Sequence, residues 1–251
     1  STFLQRAYDG IIHDVALQDL PVIFAMDRSG LSANDGPTHH GLFDITFLRC
    51  VPNVIAMAPK DEDELVDMLF TATHQTHPVF IRYPRGAGEG VPLKDQPRLL
   101  PIGQAEVLQH FSQAGGPKVA LFALGNLQRL ARDTAAGLIA AGCDVAIVNP
   151  RFIKPLDEAT TRFFGQAAEV VVTFEDHALA GGYGSSVIEL YNTHDIRTPV
   201  VRLGWPDRFI EHASTVDHLR ERYGLTAERV IAEVKAKLED RPTAAKLAAS
   251  A

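Results

Sequence analysis

The residues best suited to chemistry lie in a loop near the start of the chain, at positions 27–41. This loop holds a guanidinium (Arg28), a carboxylate (Asp35) and two imidazoles (His39 and His40). Imidazole donates or accepts a proton near neutral pH, and a nearby carboxylate can orient the ring or a bound substrate. These residue types at this spacing therefore predict an active-site loop.

A buried strand is predicted directly before the 27–41 loop. Residues 21–26 form a short apolar run, as expected of a strand that is covered on both faces in a parallel sheet. Ligands of such sheets bind beyond the carboxyl ends of the strands. The 27–41 loop therefore lies where active sites form.

A second apolar run, at 79–83, also ends in arginines. It carries Arg82, continues to Arg85 and then enters a glycine-rich run at 86–90. The planar fork of donors on arginine binds phosphate or carboxylate oxygens in a bidentate way. Two arginines that end neighbouring strands would suit a phosphate. The alternative is that each arginine pairs with a nearby carboxylate.

The alternation of strand and helix patterns predicts an α/β fold with two domains, each a mostly parallel sheet covered by helices. The chain has 251 residues and 46% hydrophobic content, which exceed the needs of one small core. Glycine and proline interrupt the pattern between 86 and 102. We therefore expect a first domain at 1–90, a linker at 91–102 and a second domain at 103–251.

The predicted elements follow from apolar runs and from helical spacing. In the first domain they are a helix over 2–18, strands at 21–26, 53–57 and 79–83, and a helix over 61–73. In the second domain they are strands at 119–124, 144–148, 169–174 and 200–203, a helix over 127–141, helices after 155 and 184, and two terminal helices.

Composition excludes several classes of function. A formal net charge of −7 argues against a nucleic-acid surface. No apolar stretch approaches the roughly 20 residues that span a bilayer, and the first residues lack a signal-peptide pattern. Cys50 and Cys143 are expected to be reduced and buried, which agrees with a bacterial cytoplasm or a plastid stroma. The sequence predicts a soluble protein without nucleic-acid or membrane partners.

Two further motifs favour structural roles. His74 and His77 could share a helix face, but no carboxylate or cysteine cluster completes a metal site there, so we expect both at the surface and no metal site. The glycine-rich segment 175–186 could place free helix amides against an anion. A tight strand-to-helix turn is the favoured interpretation.

Ordered motifs along the chain resemble the transketolase-like thiamine diphosphate family. They are STFLQRAYD at 1–9, DGPTH at 35–39 and YPRG at 83–86, and the resemblance continues through 48–52, 58–64 and 151–157. It implies a pyrimidine-binding domain without its amino-terminal part, followed by a transketolase C-terminal domain.

Within this family the motifs are most similar to synthases that condense pyruvate with glyceraldehyde 3-phosphate, with loss of carbon dioxide, to begin isoprenoid precursor synthesis. The resemblance implies a homodimer that uses thiamine diphosphate and Mg²⁺. It places the diphosphate and metal site on an amino-terminal domain absent from this sequence, so the chain alone is expected to be inactive. The alternatives are a separate β-type subunit of a thiamine-dependent 2-oxo acid enzyme, and a noncatalytic module for sugar-phosphate binding or dimerisation.

The resemblance also implies roles for particular residues. Phe3 matches the aromatic residue that packs on the aminopyrimidine ring of the cofactor, and Arg6 would lie beside the same ring. Arg28 and Arg85 match the residues that bind the phosphate of the acceptor.

Asp35 and His39 match groups that line the space where donor and acceptor meet, and they are the expected catalytic residues. His39 would handle a proton or orient a hydroxyl group, and Asp35 would orient the ring or the substrate. Arg82 and Tyr83 are interpreted as core or supporting residues.

Overall fold

The computed structural model describes residues 1–112, 115–213 and 215–240. This part of the chain forms two mostly parallel sheets with helices packed against them, which confirms the predicted fold class. Residues 241–251 of the predicted second domain lie outside the described residues. Within the described ranges, every helix is too short or too polar to cross a bilayer.

The first sheet contains β1 (Ile23–Met26), β2 (Ile55–Met57), β3 (Val79–Arg82) and β7 (Phe152–Lys154). Its order is β1-β3-β2-β7. β3 is parallel to both β1 and β2, whereas β7 is antiparallel to β2. The chain therefore returns to the first sheet after the linker, because β7 falls in the sequence range predicted for the second domain.

The second sheet contains β4 (Glu106–Gln109), β5 (Lys118–Ala123), β6 (Asp144–Asn149), β8 (Val170–Ala178) and β9 (Val200–Trp205). Its order is β4-β6-β5-β8-β9, with all neighbours parallel except the antiparallel pair of β4 and β6. The central strand β5 is apolar after its first residue, as expected of a strand covered on both faces.

Helices cover these sheets, and most of them have a capping side chain. They are α2 (Asp44–Cys50), α3 (Glu62–Ala72), α4 (Gln128–Ala140), α5 (Glu158–Ala167), α6 (Tyr183–Thr193), α7 (Val216–Tyr223) and α8 (Ala227–Glu239). Asp61, Asp157, Thr215 and Thr226 cap α3, α5, α7 and α8 by accepting a first-turn amide, which fixes where each helix begins.

The N-terminal segment is helical, as predicted, but its hydrogen-bond pattern changes along its length. A 3₁₀-helix at Thr2–Ala7 leads to one α-turn, α1 (Tyr8–Gly10), and then to a π-helix at Ile11–Ala16. Only Ile11 and Ala16 of these residues are buried. Because tertiary packing supplies most helix stability in proteins, so few buried contacts leave the geometry irregular.

Three elements were not predicted from the sequence: α2, β4 and β7. α2 holds only seven residues and includes an isoleucine and a threonine, so its propensity is weak. β4 has four partly exposed residues, and β7 has three residues. Pairing with β6 and β2 creates these strands, and such pairing has no local signal.

The two cysteines differ in exposure. Cys143 is free and buried, as predicted, but the prediction for Cys50 was wrong, because Cys50 is free and exposed. It is the last residue of α2, and its Sγ lies 3.2 Å from the hydroxyl oxygen of Tyr8. The Cys50 side chain therefore faces the N-terminal helical segment.

Part of the hydrophobic core is shared by both sheets. One buried cluster joins Met26 and Phe80 of the first sheet, Ala120 and Phe122 of the second sheet, and Tyr183 of α6. Apolar side chains thus fill the space between the sheets without interruption, and loops from the two sheets come into contact.

Candidate active site

The 27–41 loop and the segment after β3 leave the same edge of the first sheet. Met26 and Arg82, the last residues of β1 and β3, are directly paired in register. Beyond them, the amide of Ser29 donates to the carbonyl of Tyr83 over 3.0 Å. The predicted convergence of these two segments at one sheet edge is therefore observed.

Backbone hydrogen bonds close the 27–41 loop at its base. Gly30 and Gly41 exchange two amide-to-carbonyl bonds of 2.9 and 2.7 Å. At its far end the amides of Asp35 and Gly36 donate to the carbonyl of Ser32 over 3.0 and 3.1 Å. The chemically useful side chains therefore stand on a backbone that is held at both ends.

His40 attaches the loop to the second domain and does not face solvent. Its Nδ1 accepts the amide of Ser32 over 3.0 Å, and its Nε2 lies 3.4 Å from the carbonyl oxygen of Glu211. Burial lowers the pKa of His40 and outweighs the opposite effect of the Glu211 carbonyl. The amide of Ala213 also donates to the carbonyl of Ala33 over 3.0 Å. His40 is thus a neutral structural residue.

His39, by contrast, lies on the open side of the loop. Its ring meets Phe3 edge to face, with the centroids 5.2 Å apart and the planes at 84°. Its Nδ1 lies 2.9 Å from the hydroxyl oxygen of Thr38. Thr38 therefore occupies one ring nitrogen, and Nε2 is the nitrogen that can reach a bound molecule.

The structure pairs both predicted phosphate-binding arginines with carboxylates. Arg85 forms an ion pair with Asp35, and Arg28 forms one with Asp27. These contacts match the alternative given in the sequence analysis, in which each arginine pairs with a nearby carboxylate. All four side chains remain partly exposed, so a phosphate could reach the guanidinium groups by competing for them.

Phe3 and Arg6 line a cleft of ≈ 390 Å³ with aromatic walls from both domains. Phe43 precedes α2, and Phe209 lies after β9 in the second domain. Their rings meet edge to face at 6.4 Å. Phe3 is 60% exposed and Phe209 is 76% exposed. Exposed aromatic rings around a cleft mark a binding site, and their flat apolar faces suit a heteroaromatic ligand.

Sequence reasoning missed Phe43 and Phe209 as lining residues. Phe209 follows the proline and charged residues 206–208 at the carboxyl end of β9, which is a position where ligand-binding loops occur. That placement was the available signal, but the sequence does not reveal that this loop and the N-terminal segment line the same cleft.

Below the loop, a buried ion pair of the first domain lies against the second domain. The Nε of Arg82 donates to Asp44 over 3.0 Å, and both side chains are almost fully buried. Arg82 also donates to the carbonyls of Asp176 and Gly41 over 3.1 and 3.4 Å. Burial opposes ionisation of Asp44, but Arg82 and His177 outweigh it and lower the pKa of this carboxyl group. The supporting role predicted for Arg82 fits this position.

The side chain of Asp176 makes further polar contacts within the second domain. It accepts from the indole of Trp205 over 2.7 Å and from Asn126 over 3.4 Å, and it lies 3.6 Å from Arg220. Gly30 approaches the same carboxylate so closely, at a φ of 76°, that any Cβ there would overlap it. Glycine is therefore required at position 30 for the loop to lie on the second domain.

The glycine-rich segment after β8 serves packing, as the favoured interpretation of 175–186 proposed. Glu175 accepts the amides of Tyr183 and Gly184 at the start of α6, over 2.6 and 3.0 Å. An internal carboxylate thus occupies the position that an anion would take. Burial raises the pKa of Glu175 to about 7 despite these donors.

No metal cluster is found in the described ranges. There, no group of three or more histidine, cysteine or acidic side chains could hold a metal ion. His74 and His77 are both exposed, and the Nδ1 of His77 lies 2.7 Å from Asp19. The surface interpretation of this histidine pair is therefore confirmed.

Taken together, the fold and the site define a two-sheet α/β protein with a polar loop and an aromatic cleft at a sheet edge. Residues 1–89 match the transketolase pyrimidine binding domain, and residues 108–230 match the transketolase C-terminal domain. A solved structure described as "Split gene transketolase, inactive beta4 tetramer" is similar, with a TM-score of 0.81 and 30% identity over 95% of this chain and 74% of that one. The chain belongs to the transketolase family.

Curated relatives with high sequence identity to this chain are enzymes of one kind within the family. The 1-deoxy-D-xylulose-5-phosphate synthase of Methylacidiphilum infernorum is 55% identical over 231 residues, which are 92% of this chain and 36% of that protein. The enzyme of the same name from Acidobacterium capsulatum is 52% identical over 228 residues, 91% of this chain and 35% of that protein. The chain thus spans about a third of the length of these relatives.

The buried ion pair generates a prediction about stability. Asp44→Asn leaves the guanidinium of Arg82 buried without an anion, so the free energy of unfolding is expected to fall by about 3–5 kcal/mol. Urea denaturation measures this change. Asp195→Asn is the control, because its exposed pair with Arg197 should contribute less than about 1 kcal/mol. A loss for Asp44→Asn no larger than that of the control would contradict the role of this pair.

Glu175 generates a prediction about how the free energy of unfolding depends on pH. Its pKa rises from 4.5 in the unfolded chain to about 7 in the fold, so its stabilising contribution is complete below pH 4.5 and is lost as the pH rises through 7. At roughly 1.4 kcal/mol per pH unit, the loss is about 3 kcal/mol. Burial lowers the pKa of the neighbouring His177 to about 4, which gives the opposite slope.

The test is therefore the difference in unfolding free energy between Glu175→Gln and the unaltered chain at a series of pH values. Glu175→Gln is less stable at low pH, because the new amide nitrogen faces a backbone donor. We expect this deficit to shrink by about 3 kcal/mol between pH 4.5 and 7, since only the unaltered chain loses the Glu175 contribution. A constant difference would show that Glu175 does not titrate in this range.

Proposed function

We propose that this chain is the C-terminal part of a 1-deoxy-D-xylulose-5-phosphate synthase. In that reaction pyruvate loses carbon dioxide and its two-carbon remainder joins glyceraldehyde 3-phosphate, giving 1-deoxy-D-xylulose 5-phosphate for the non-mevalonate route to isoprenoids. The 46–55% identity to synthases of this name supports the proposal. Bacterial relatives of this kind favour a cytoplasmic location over a plastid one.

One geometric observation carries the proposal. Two residues of the 27–41 loop each contact a residue remote in sequence along one sheet edge: His39 meets Phe3, and Asp35 pairs with Arg85. An aromatic ring, a proton-transfer group and an anion-binding group are thereby placed side by side. A thiamine-dependent enzyme with a phosphorylated acceptor needs that combination.

The cleft fits the proposed cofactor, thiamine diphosphate. Phe3 would pack on the aminopyrimidine ring, with Arg6 beside it and Phe43 and Phe209 as further walls. When bound, the cofactor supplies the electron sink for decarboxylation of a 2-oxo acid. We assign the diphosphate group and Mg²⁺ to the part of the relatives that lies outside this chain.

The chain's own residues would then bind and orient the acceptor. Arg28 and Arg85 would bind its phosphate, which requires that the phosphate replace Asp35 on Arg85. Asp35, once released from Arg85, would orient a hydroxyl group of the acceptor. His39 would hold a proton at Nε2 for the carbonyl oxygen of the acceptor, because Thr38 occupies Nδ1.

A second candidate function is a separately encoded subunit that is active only with a partner chain. The similarity to a structure described as a split gene transketolase favours it, since this chain covers 74% of that polypeptide. The substrates could then be those of transketolase and not pyruvate. In either case we propose that the protein acts as an oligomer, with a homodimer as the simplest form.

Product formation tests the proposal. The purified chain is assayed alone and after co-expression with the amino-terminal part of the M. infernorum synthase, using pyruvate, glyceraldehyde 3-phosphate, thiamine diphosphate and Mg²⁺. We expect 1-deoxy-D-xylulose 5-phosphate from the co-expressed pair only. The positive control is the M. infernorum enzyme divided at the same point. If the hybrid complex co-purifies but gives no product, while the control is active, the proposal is wrong.

Two substitutions then separate catalysis from phosphate binding in the active complex. We expect His39→Ala to lower kcat by about 10²–10⁴ with little change in the KM for glyceraldehyde 3-phosphate, because the proposed role of its ring is proton transfer and not phosphate binding. Arg85→Ala should raise that KM by about ten- to a hundredfold, since it loses a charge-assisted bond. Steady-state kinetics checks both, and an effect of His39→Ala on KM alone would refute its proton-transfer role.

A further inference from the structure

A second cleft, of ≈ 230 Å³, lies between the 27–41 loop and the start of α7 in the second domain. Ser32 and Asn34 line it from the loop, Arg85 lines it from the segment after β3, and Thr215 and Val216 line it from α7. The cleft is therefore built from both domains, and it contains one of the guanidinium groups assigned to the acceptor phosphate.

Ser32 lines this cleft and carries an unpaired polar atom. Its backbone is fully engaged, because its amide donates to His40 and its carbonyl accepts from Asp35 and Gly36. Its side chain is only 3% exposed, and its Oγ has no hydrogen-bond partner within the described ranges. Buried polar groups are nearly always hydrogen-bonded, so this hydroxyl has a donor available for a ligand that binds in the cleft.

The start of α7 supplies further donors. The first amides of a helix have no acceptor within it, and they carry the positive end of the helix dipole. The hydroxyl oxygen of Thr215 accepts the amide of His218 over 3.1 Å, and the described residues supply no acceptor for the other first-turn amides. Asp217, the acid in this turn, is 88% exposed and lies 3.7 Å from Arg220, so an ion pair accounts for its charge.

We propose that this cleft is an oxyanion subsite for a phosphate monoester, bound by Arg85, the Ser32 hydroxyl and the first-turn amides of α7. A guanidinium, a hydroxyl donor and helix amides form the donor set that a phosphate requires. The subsite extends the phosphate assignment, which named only arginines of the first domain, to the second domain. The inference that the phosphate bound here belongs to the acceptor aldehyde rests on the proposed function.

Inorganic phosphate is the probe for this subsite, and its binding to the purified chain is followed by ³¹P NMR line broadening at low salt. Ser32→Ala is expected to weaken binding about tenfold, because it removes a bond to a charged group. Its thermal midpoint should stay the same or rise, since the hydroxyl has no protein partner. Asn34→Asp, which places a negative charge in the cleft, should weaken binding by at least the same factor.

Asn192→Asp is the matched control, because it adds the same charge on α6, at a different cleft. It should leave phosphate binding unchanged. The proposal is overturned if phosphate does not bind, if Ser32→Ala and Asn34→Asp bind it as the unaltered chain does, or if Ser32→Ala binds less only because it is less stable. This binding is read without turnover, so a failed product assay removes the proposed reaction and leaves the subsite standing.

Discussion

The buried pairing of Arg82 with Asp44 is the interaction on which the arrangement of the site depends. Arg82 ends a strand of the first sheet, Asp44 begins a helix, and the guanidinium also binds the carbonyls of Gly41 and Asp176. A guanidinium can remain charged in the protein interior only if carboxylate and carbonyl oxygens replace its lost water. Meeting this requirement fixes the base of the 27–41 loop and attaches it to the second domain.

The chemical groups of the site take their positions from that attachment. His40 bridges Ser32 and the carbonyl of Glu211, and Gly30 lies against the carboxylate of Asp176. With the loop held at these points, His39 faces Phe3. The buried histidine and the partly exposed one are neighbours in sequence, but the first holds the loop against the second domain and the second lies on the open side of the loop. The loop backbone is therefore preorganised, and only the ion pair of Asp35 with Arg85 has to open for an anion to reach that guanidinium.

The sequence was sufficient for the features that depend on local patterns. Apolar runs located β1 and β3, and the rule that ligands bind at the carboxyl ends of strands placed Arg28, Asp35, His39 and Arg85 at one edge. Features that depend on contacts between distant segments were not predictable. The exposure of Cys50, the strand β7 and the aromatic wall formed by Phe209 each result from packing between segments far apart in the chain. The partners of the arginines were left open for the same reason, since a fork of donors suits a carboxylate as well as a phosphate.

The strand β7 has a consequence for how the molecule must fold and evolve. Because β2 lies next to a strand that is synthesised about a hundred residues later, the first sheet cannot be completed until much of the second domain exists. The linker therefore does not separate the two sheets completely, although the family matches divide the chain there. A gene rearrangement that cut the chain in the linker would leave β2 with an unpaired edge, exposed to association with other chains. The topology thus favours keeping both domains on one polypeptide.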